Sequence, residues 1–273
     1  MTFEDTFIGR PNTVTTYKSL FKNHISKVEP ETSWKEWKDL ETIKYLHIWE
    51  ENQLSRRTRQ SLLRLLTRYI EFMGGPKIKT RTFARTLERG EQQREPSVLS
   101  KQEARALMAT CKHLRPEFYP ILLLALHAGL RRGEIFGLTC GDIDMFKGKV
   151  RVAHNYKGPT KNGKTRYVPM SEELIREMVK ARNLLLRSSI DTVFEQMDPN
   201  PILKFLCSGA KVPAIRFHDL RHTFATMALE NGVSPRRVAA WLGHSSVTTT
   251  LSIYWGLNKH EFDINEFLPG GTE

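Results

Sequence analysis

Val14, Tyr17, Leu20, Phe21, His24 and Ile25 recur at three- and four-residue spacing, as on one buried face of a helix. A second helix is expected from Thr32 or Ser33 as N-cap, with Glu36 placed for a capping box. Trp34, Trp37, Leu40, Ile43 and Leu46 continue its period. A third, from Ser55 to Met73, buries Leu62, Leu63, Leu65, Leu66, Tyr69 and Ile70 and leaves Arg56, Arg57, Arg59, Arg64 and Arg68 outside. Gly74-Gly75-Pro76 stops it.

Residues 76 to 98 are polar, basic and weakly periodic, which reads as a linker with a short helix near Phe83 to Leu87. A second domain opens near Leu99, where Ser100 and Glu103 offer another capping box. Helices are expected at about 101–112 and 117–129. Extended residues follow from Asp142 to Ala153, turning at Lys147-Gly148, and from Tyr156 to Met170, turning at Asn162-Gly163. Helices resume at 171–189 and dominate from 217 to 254, while 190–212 carries no clear pattern. The pattern predicts a mostly α protein with a small antiparallel sheet, in domains 1–75 and 99–273.

Composition narrows the class. A chain of 273 residues with 42 Lys/Arg against 30 Asp/Glu, net +12, suits a polyanionic partner. The charge is directional: Gln53 to Arg94 carries a net +8, and Glu29 to Glu51 a net −4. Arg56, Arg57, Arg59, Arg64, Arg68, Lys77 and Lys79 are therefore candidate DNA contacts. The longest apolar run, Ile121 to Leu130, is about half of the ~20 residues a membrane span needs, and no secretory signal is visible. Cys111, Cys140 and Cys207 form no CxxC pair, which points to a reducing cytoplasm.

Four clusters carry chemistry. They are AGLRRGEIFGL around Arg131, the TKNGKTRYVP turn with Lys161, HDLRH from His218 to His222, and WLGHSSVTTTLSIY ending at Tyr254. Arginines supply charged forks for nonbridging phosphate oxygens, a tyrosine can attack phosphorus, and a lysine or histidine can protonate a departing sugar oxygen. Taken alone, each residue has a plainer role: Arg131 as a surface charge, Lys161 as one cation beside Lys157, Lys164 and Arg166 on an exposed hairpin, Tyr254 as a core tyrosine. His222, Tyr167, Trp241 and Trp255 are assigned to packing or to orienting neighbours.

In order and spacing these clusters resemble the tyrosine recombinase, or phage-type integrase, family over about Leu99 to Trp255. The resemblance matches Arg131 and Arg221 to the catalytic arginines, Lys161 to the hairpin lysine, and His218 and His244 to the catalytic histidines. Tyr254 matches the nucleophile, and Glu134 the acidic residue supporting the first arginine. The step from His244 to Tyr254 is ten residues, where nine is commonest in the family. What the resemblance implies is a two-domain clamp on double-stranded DNA, with a helical core-binding domain and a catalytic domain ending in a tail at 257–273. It implies a 3′-phosphotyrosyl intermediate, no metal, nucleotide or other cofactor, and four protomers on two duplexes, serving phage or mobile-element integration or excision. Three alternatives stay open: a zinc site on His218, His222 and His244, a DNA-binding regulator without chemistry, and a type IB-like topoisomerase.

Overall fold

The computed structural model describes residues 2–9, 11–83, 87, 97–156, 158–159, 163–183 and 192–251. The chain divides into two compact units, Met1–Arg94 and Glu95–Glu273.

In the first unit, α1 (Pro11–Leu20) runs on into a wider turn at Phe21–Ile25 and is followed by α2 (Asp39–Glu51) and α3 (Arg56–Phe72). Its core is aromatic. Phe3, Phe21, Tyr69 and Phe72 pack ring to ring, and Trp34 stacks on Trp37 at 5.4 Å. The α2 start differs from expectation. Residues Trp34–Glu36 form only a single 3-10 turn, and the helix begins at Asp39. Glu41, not Glu36, closes the N-terminus, accepting from the Lys38 and Glu31 amides at 2.8 and 2.9 Å. Leu40, expected inside, is 73% exposed. Ser55, expected as the first residue of the third helix, is instead its cap, accepting from the Thr58 amide at 3.2 Å.

The arginines of α3 divide. Arg57, Arg64 and Arg68 are exposed and Arg56 half-buried, with Lys77 and Lys79 exposed beyond the helix. Arg59 is a correction. Its side chain is buried and bridges to Glu50 Oε1 at 2.9 Å, tying α3 to α2. It follows the buried Leu62, Leu63, Leu66 side of the helix because 59, 62, 63 and 66 share one face.

The second unit packs around α5 (Tyr119–Leu126), whose eight residues are all buried, as befits a helix apolar on every side. Before it stands α4 (Lys101–Leu114), capped reciprocally by Ser100 and Glu103 at 3.2 and 2.7 Å. After it come the short α6 (Arg132–Ile135) and a small sheet of β1 (Ile143–Asp144), β2 (Lys149–Val152) and β5 (Arg166–Pro169), antiparallel with β2 central. The β1–β2 turn at Lys147-Gly148 is where it was expected, with Gly148 at φ +59.

Of the second expected hairpin, 156–170, the turn residue Asn162 lies outside the described residues, and the described strands on either side of it do not pair with each other. β3 (His154–Asn155) pairs with β4 (Gly158–Pro159), and β5 pairs with β2. Then follow α7 (Glu172–Asn183), α8 (Asn200–Ala210), α9 (Phe217–Glu230) and α10 (Pro235–Leu242), with helical residues again at 247–251. α8 fills part of the stretch in which the sequence shows no clear pattern. All three cysteines are buried, and no described helix is long and apolar enough to cross a membrane.

Candidate active site

Arg131 stands at the N-cap of α6, in extended conformation, after a turn that Gly129 makes at φ +63. A Cβ at Gly129 would lie 2.4 Å from the Phe224 ring, so only glycine fits both the conformation and the packing. Glu134, one turn on, is buried and answers Arg131 twice: Oε2 accepts from the Arg131 amide and Oε1 from Nη1, each at 2.8 Å. Arg131 Nη2 reaches toward the Gly243 carbonyl at 3.5 Å, and its side chain remains 31% exposed.

Arg221 comes from the first turns of α9 and is almost wholly buried. Its Nη1 donates to the Gly129 carbonyl at 2.7 Å and its Nη2 to the Leu242 carbonyl, so it laces both active-site turns to α9. Each Nη carries a second hydrogen, which these bonds leave unspent. Burial and the Arg131 charge push Arg221 down to about 9, where it is still cationic at neutral pH.

His218 and His222 stand edge to face on α9, ring centres 4.9 Å apart. His244 follows Gly243, the left-handed C-cap of α10, and its Nδ1 lies 2.8 Å from Thr250 Oγ1. Burial, then neighbouring positive or titratable groups, push His218 and His244 down to about 4. Both imidazoles are therefore neutral at pH 7.

Arg166, expected as one more charge on an exposed hairpin, is instead a central member of the site. In β5 it is opposite Val152, on the same side as the buried pair Val150 and Val168, so strand alternation turns it inward. Its Nη1 and Nη2 grip Glu134 Oε1 and Oε2 at 2.9 and 2.7 Å, and Nε donates to the Trp241 carbonyl at 2.6 Å. The parity of Arg166 and Val168 is the signal in the sequence that could have found it. Burial alone would raise the Glu134 carboxyl, but Arg166 and Arg131 outweigh it and hold it at about 2. Tyr167, assigned to packing or to orienting neighbours, faces outward and is 59% exposed.

The structure thus brings Arg131, Glu134, Arg166 and Arg221 together, with His218 and His244 on the elements that Arg221 joins. Lys161, Tyr254, Trp255 and the tail 257–273 lie outside the described residues. Asp219, which stands in the zinc reading where an HExxH motif has its catalytic glutamate, is buried and held by Arg216 through Nε at 3.1 Å and Nη2 at 2.9 Å. Among the described residues no three His, Cys, Asp or Glu side chains are placed to hold a metal.

Solved structures share this fold. The Tn1549 transposon integrase in complex with transposon right end DNA matches with a TM-score of 0.75 and 18% identity, covering 94% of this chain and 92% of that one. A lambda integrase dimer bound to a COC′ core site matches with a TM-score of 0.70 and 17% identity, over 95% of this chain and 94% of that one. In sequence, tyrosine recombinase XerA of Saccharolobus solfataricus is 32% identical over 164 residues, 58% of this chain and 51% of that protein. Tyrosine recombinase XerD of Staphylococcus saprophyticus is 30% identical over 194 residues, 64% of this chain and 63% of that protein. The chain thus spans about half to two thirds of the length of these relatives. The phage integrase family model matches residues 97–261, which include all four sequence clusters. This chain belongs to the phage integrase family, that of the tyrosine recombinases.

Proposed function

We propose that the protein is a site-specific DNA recombinase that cuts and rejoins strands through Tyr254. The observation that carries this reading is the convergence of Arg131 and Arg221, from separate elements, on Glu134 and on the Leu242 and Gly243 carbonyls just ahead of His244. Permanently charged forks held by main-chain and carboxylate partners are preorganised for a phosphate whose negative charge grows in the transition state.

In the reaction, the Tyr254 phenol oxygen bonds to phosphorus while the bond to the 5′ oxygen breaks. The phenol proton passes to His218, and the departing 5′ oxygen takes a proton from Lys161. Arg131 and Arg221 balance charge on the nonbridging oxygens, and neutral His244 donates a hydrogen bond to one of them. The 3′-phosphotyrosyl link conserves the energy of the broken bond, so a 5′-hydroxyl of another strand reverses the step without nucleotide or metal. The helical first unit, Met1–Arg94, serves as a core-binding domain on the duplex. Arg57, Arg64, Arg68, Lys77 and Lys79 bind backbone phosphates there, with Arg56 at the edge of that face.

Four protomers on two duplexes form the working assembly, an arrangement supported by the solved lambda integrase tetramer bound to a Holliday junction. The setting is integration or excision of a phage or other mobile element, in the cytoplasm. The Xer names of the relatives favour a second setting for the same chemistry, the resolution of dimeric chromosomes.

The test has two stages. Mapping the joined ends of the element that carries the gene gives the core site. A duplex of that site, nicked beside the scissile phosphate, then traps the covalent intermediate. Wild type forms an adduct that survives detergent, in EDTA as well as without it, while Tyr254→Phe binds equally and forms none. Equal adduct yield from Tyr254→Phe would remove the nucleophile, and loss of the adduct in EDTA would bring back a metal.

A further inference from the structure

We propose that Arg166 is a positioning residue for strand cleavage, cancelling the Glu134 carboxylate so that Arg131 keeps its positive charge for the phosphate. The proposal rests on the recombinase reading above, and it concerns a residue that makes no contact with DNA in the mechanism just described.

The carboxylate is shared. Glu134 is buried, and both of its oxygens are bonded by Arg166 as well as by Arg131. Without Arg166, the carboxylate would be balanced by Arg131 at 2.8 Å and by Arg221 at 3.8 Å, and would weaken the two guanidiniums meant for the incoming anion. With Arg166 gripping both of its oxygens, the carboxylate is answered inside the protein and the charge of Arg131 is left for the anion. Arg166 itself is buried to 11% exposure and spends three donors inside the protein, whereas Arg131 is 31% exposed. The charge left over therefore lies on the side of the site that Arg131 presents to solvent.

The geometry requires arginine. The Nη fork meets both carboxylate oxygens, while Nε points the other way, to the Trp241 carbonyl in the last turn of α10. A cation is favoured at a helix C-terminus, and a lysine ammonium cannot serve a planar fork and a third acceptor together. Gly243 completes the fit. It adopts φ +65, and a Cβ there would stand 3.1 to 3.2 Å from Arg166 Nη1, Cδ and Cζ. Arg166 thus joins three pieces of the site: β5, the Arg131 turn, and the end of α10 that leads into His244.

Charge cancellation and simple scaffolding predict opposite outcomes for a double variant. On the nicked core-site duplex, Arg166→Met reduces the single-turnover cleavage rate by about 10²-fold, the scale for removing one preorganised electrostatic partner. DNA affinity stays near that of wild type. Adding Glu134→Gln to Arg166→Met removes the uncancelled carboxylate and raises the rate again, above that of Arg166→Met alone. A residue that only holds the fold would give a double variant slower than either single one. Arg166→Gln, which keeps a donor for the Trp241 carbonyl but no charge, undergoes the same comparison and covers the case where Arg166→Met does not fold. Wild-type rates in both Arg166 variants, or no gain from Glu134→Gln in either background, overturn the proposal. A wild-type chain that forms no adduct on the mapped site defeats the recombinase reading itself, a failure visible before any variant is made.

Discussion

Thr250 Oγ1 lies 2.8 Å from His244 Nδ1, and Thr250 is completely buried. The hydroxyl fixes the ring plane and occupies one imidazole nitrogen, which leaves Nε2 as the nitrogen able to meet a phosphate. It also links the turn after α10 to the helical residues 247–251, which lead in sequence toward Tyr254, the proposed nucleophile.

Thr250→Val keeps the shape of the side chain and removes the hydroxyl. Removing one hydrogen bond of about 1.4 kcal/mol corresponds to about tenfold in rate. Single-turnover cleavage is expected to fall by about that factor with DNA affinity unchanged, and Thr250→Ser to recover most of it. If Thr250→Val cleaves as fast as wild type, the hydroxyl does not orient His244 for catalysis.

The basic face of the first unit separates into two kinds of arginine. Arg57 and Arg64 are exposed on α3, while Arg59 is buried against Glu50. Replacing Arg57 or Arg64 with alanine is expected to weaken binding to site and non-site DNA alike. Each phosphate that the wild-type side chain neutralises accounts for about 1 in the salt slope, so the slope falls by about that much in each variant. Arg59→Met instead removes the arginine from Glu50, leaving only the longer His47 contact, and costs about 1–3 kcal/mol of stability, with no direct change in the salt slope. Binding isotherms across a salt series and thermal melts decide it. An unchanged melt for Arg59→Met, with a reduced slope, would put Arg59 back on the DNA.

What the sequence concealed follows from this division. Apolar period and cap residues locate α3 and α4, because Ser55, Ser100 and Glu103 act within one turn of their own helix. Arg59 escapes such reasoning because its partner lies on α2, and a long charged side chain on a buried face looks in sequence like any other cation. The Asn162-Gly163 signal suggests a local hairpin, but β5 finds its partner in β2, where Val150 and Val168 bury each other. That long-range register also sends Arg166 inward. Spacing alone puts Trp34 in a helix, yet aromatic stacking on Trp37 holds it in a single turn. Arg131, Arg221 and His244 could be singled out because their short motifs keep their order and spacing along the chain, although Arg221 is placed by the distant carbonyls of Gly129 and Leu242.

The two histidines proposed for catalysis, His218 and His244, give the site a pH signature. In the folded chain His218 and His244 titrate at about 4, chiefly through burial, against 6.5 for the free side chain. The unfolded chain therefore binds more protons than the folded one between pH 6.5 and 4, so stability rises with pH across that window and is level above it. His222 and His127 are also lowered, by burial first, and add to the same slope. The contribution of His218 and His244 is thus read as a difference: the melting temperature of His218→Gln/His244→Gln falls less steeply between pH 6.5 and 4.5 than that of wild type. Although packing on one side of the ring lowers it, His218 as a whole residue stays open to water, so its charged form remains partly hydrated and half-buried His244 carries the larger share. DNA reverses the direction. A phosphate set beside Arg131 and Arg221 offsets the positive field that, after burial, disfavours both imidazolium ions, so binding takes up protons in the same window. Affinity is expected to tighten as pH falls from 6.5 to 5, with a slope that flattens in the double variant. Equal slopes for wild type and double variant, in both the melts and the isotherms, would show that neither histidine faces the phosphate.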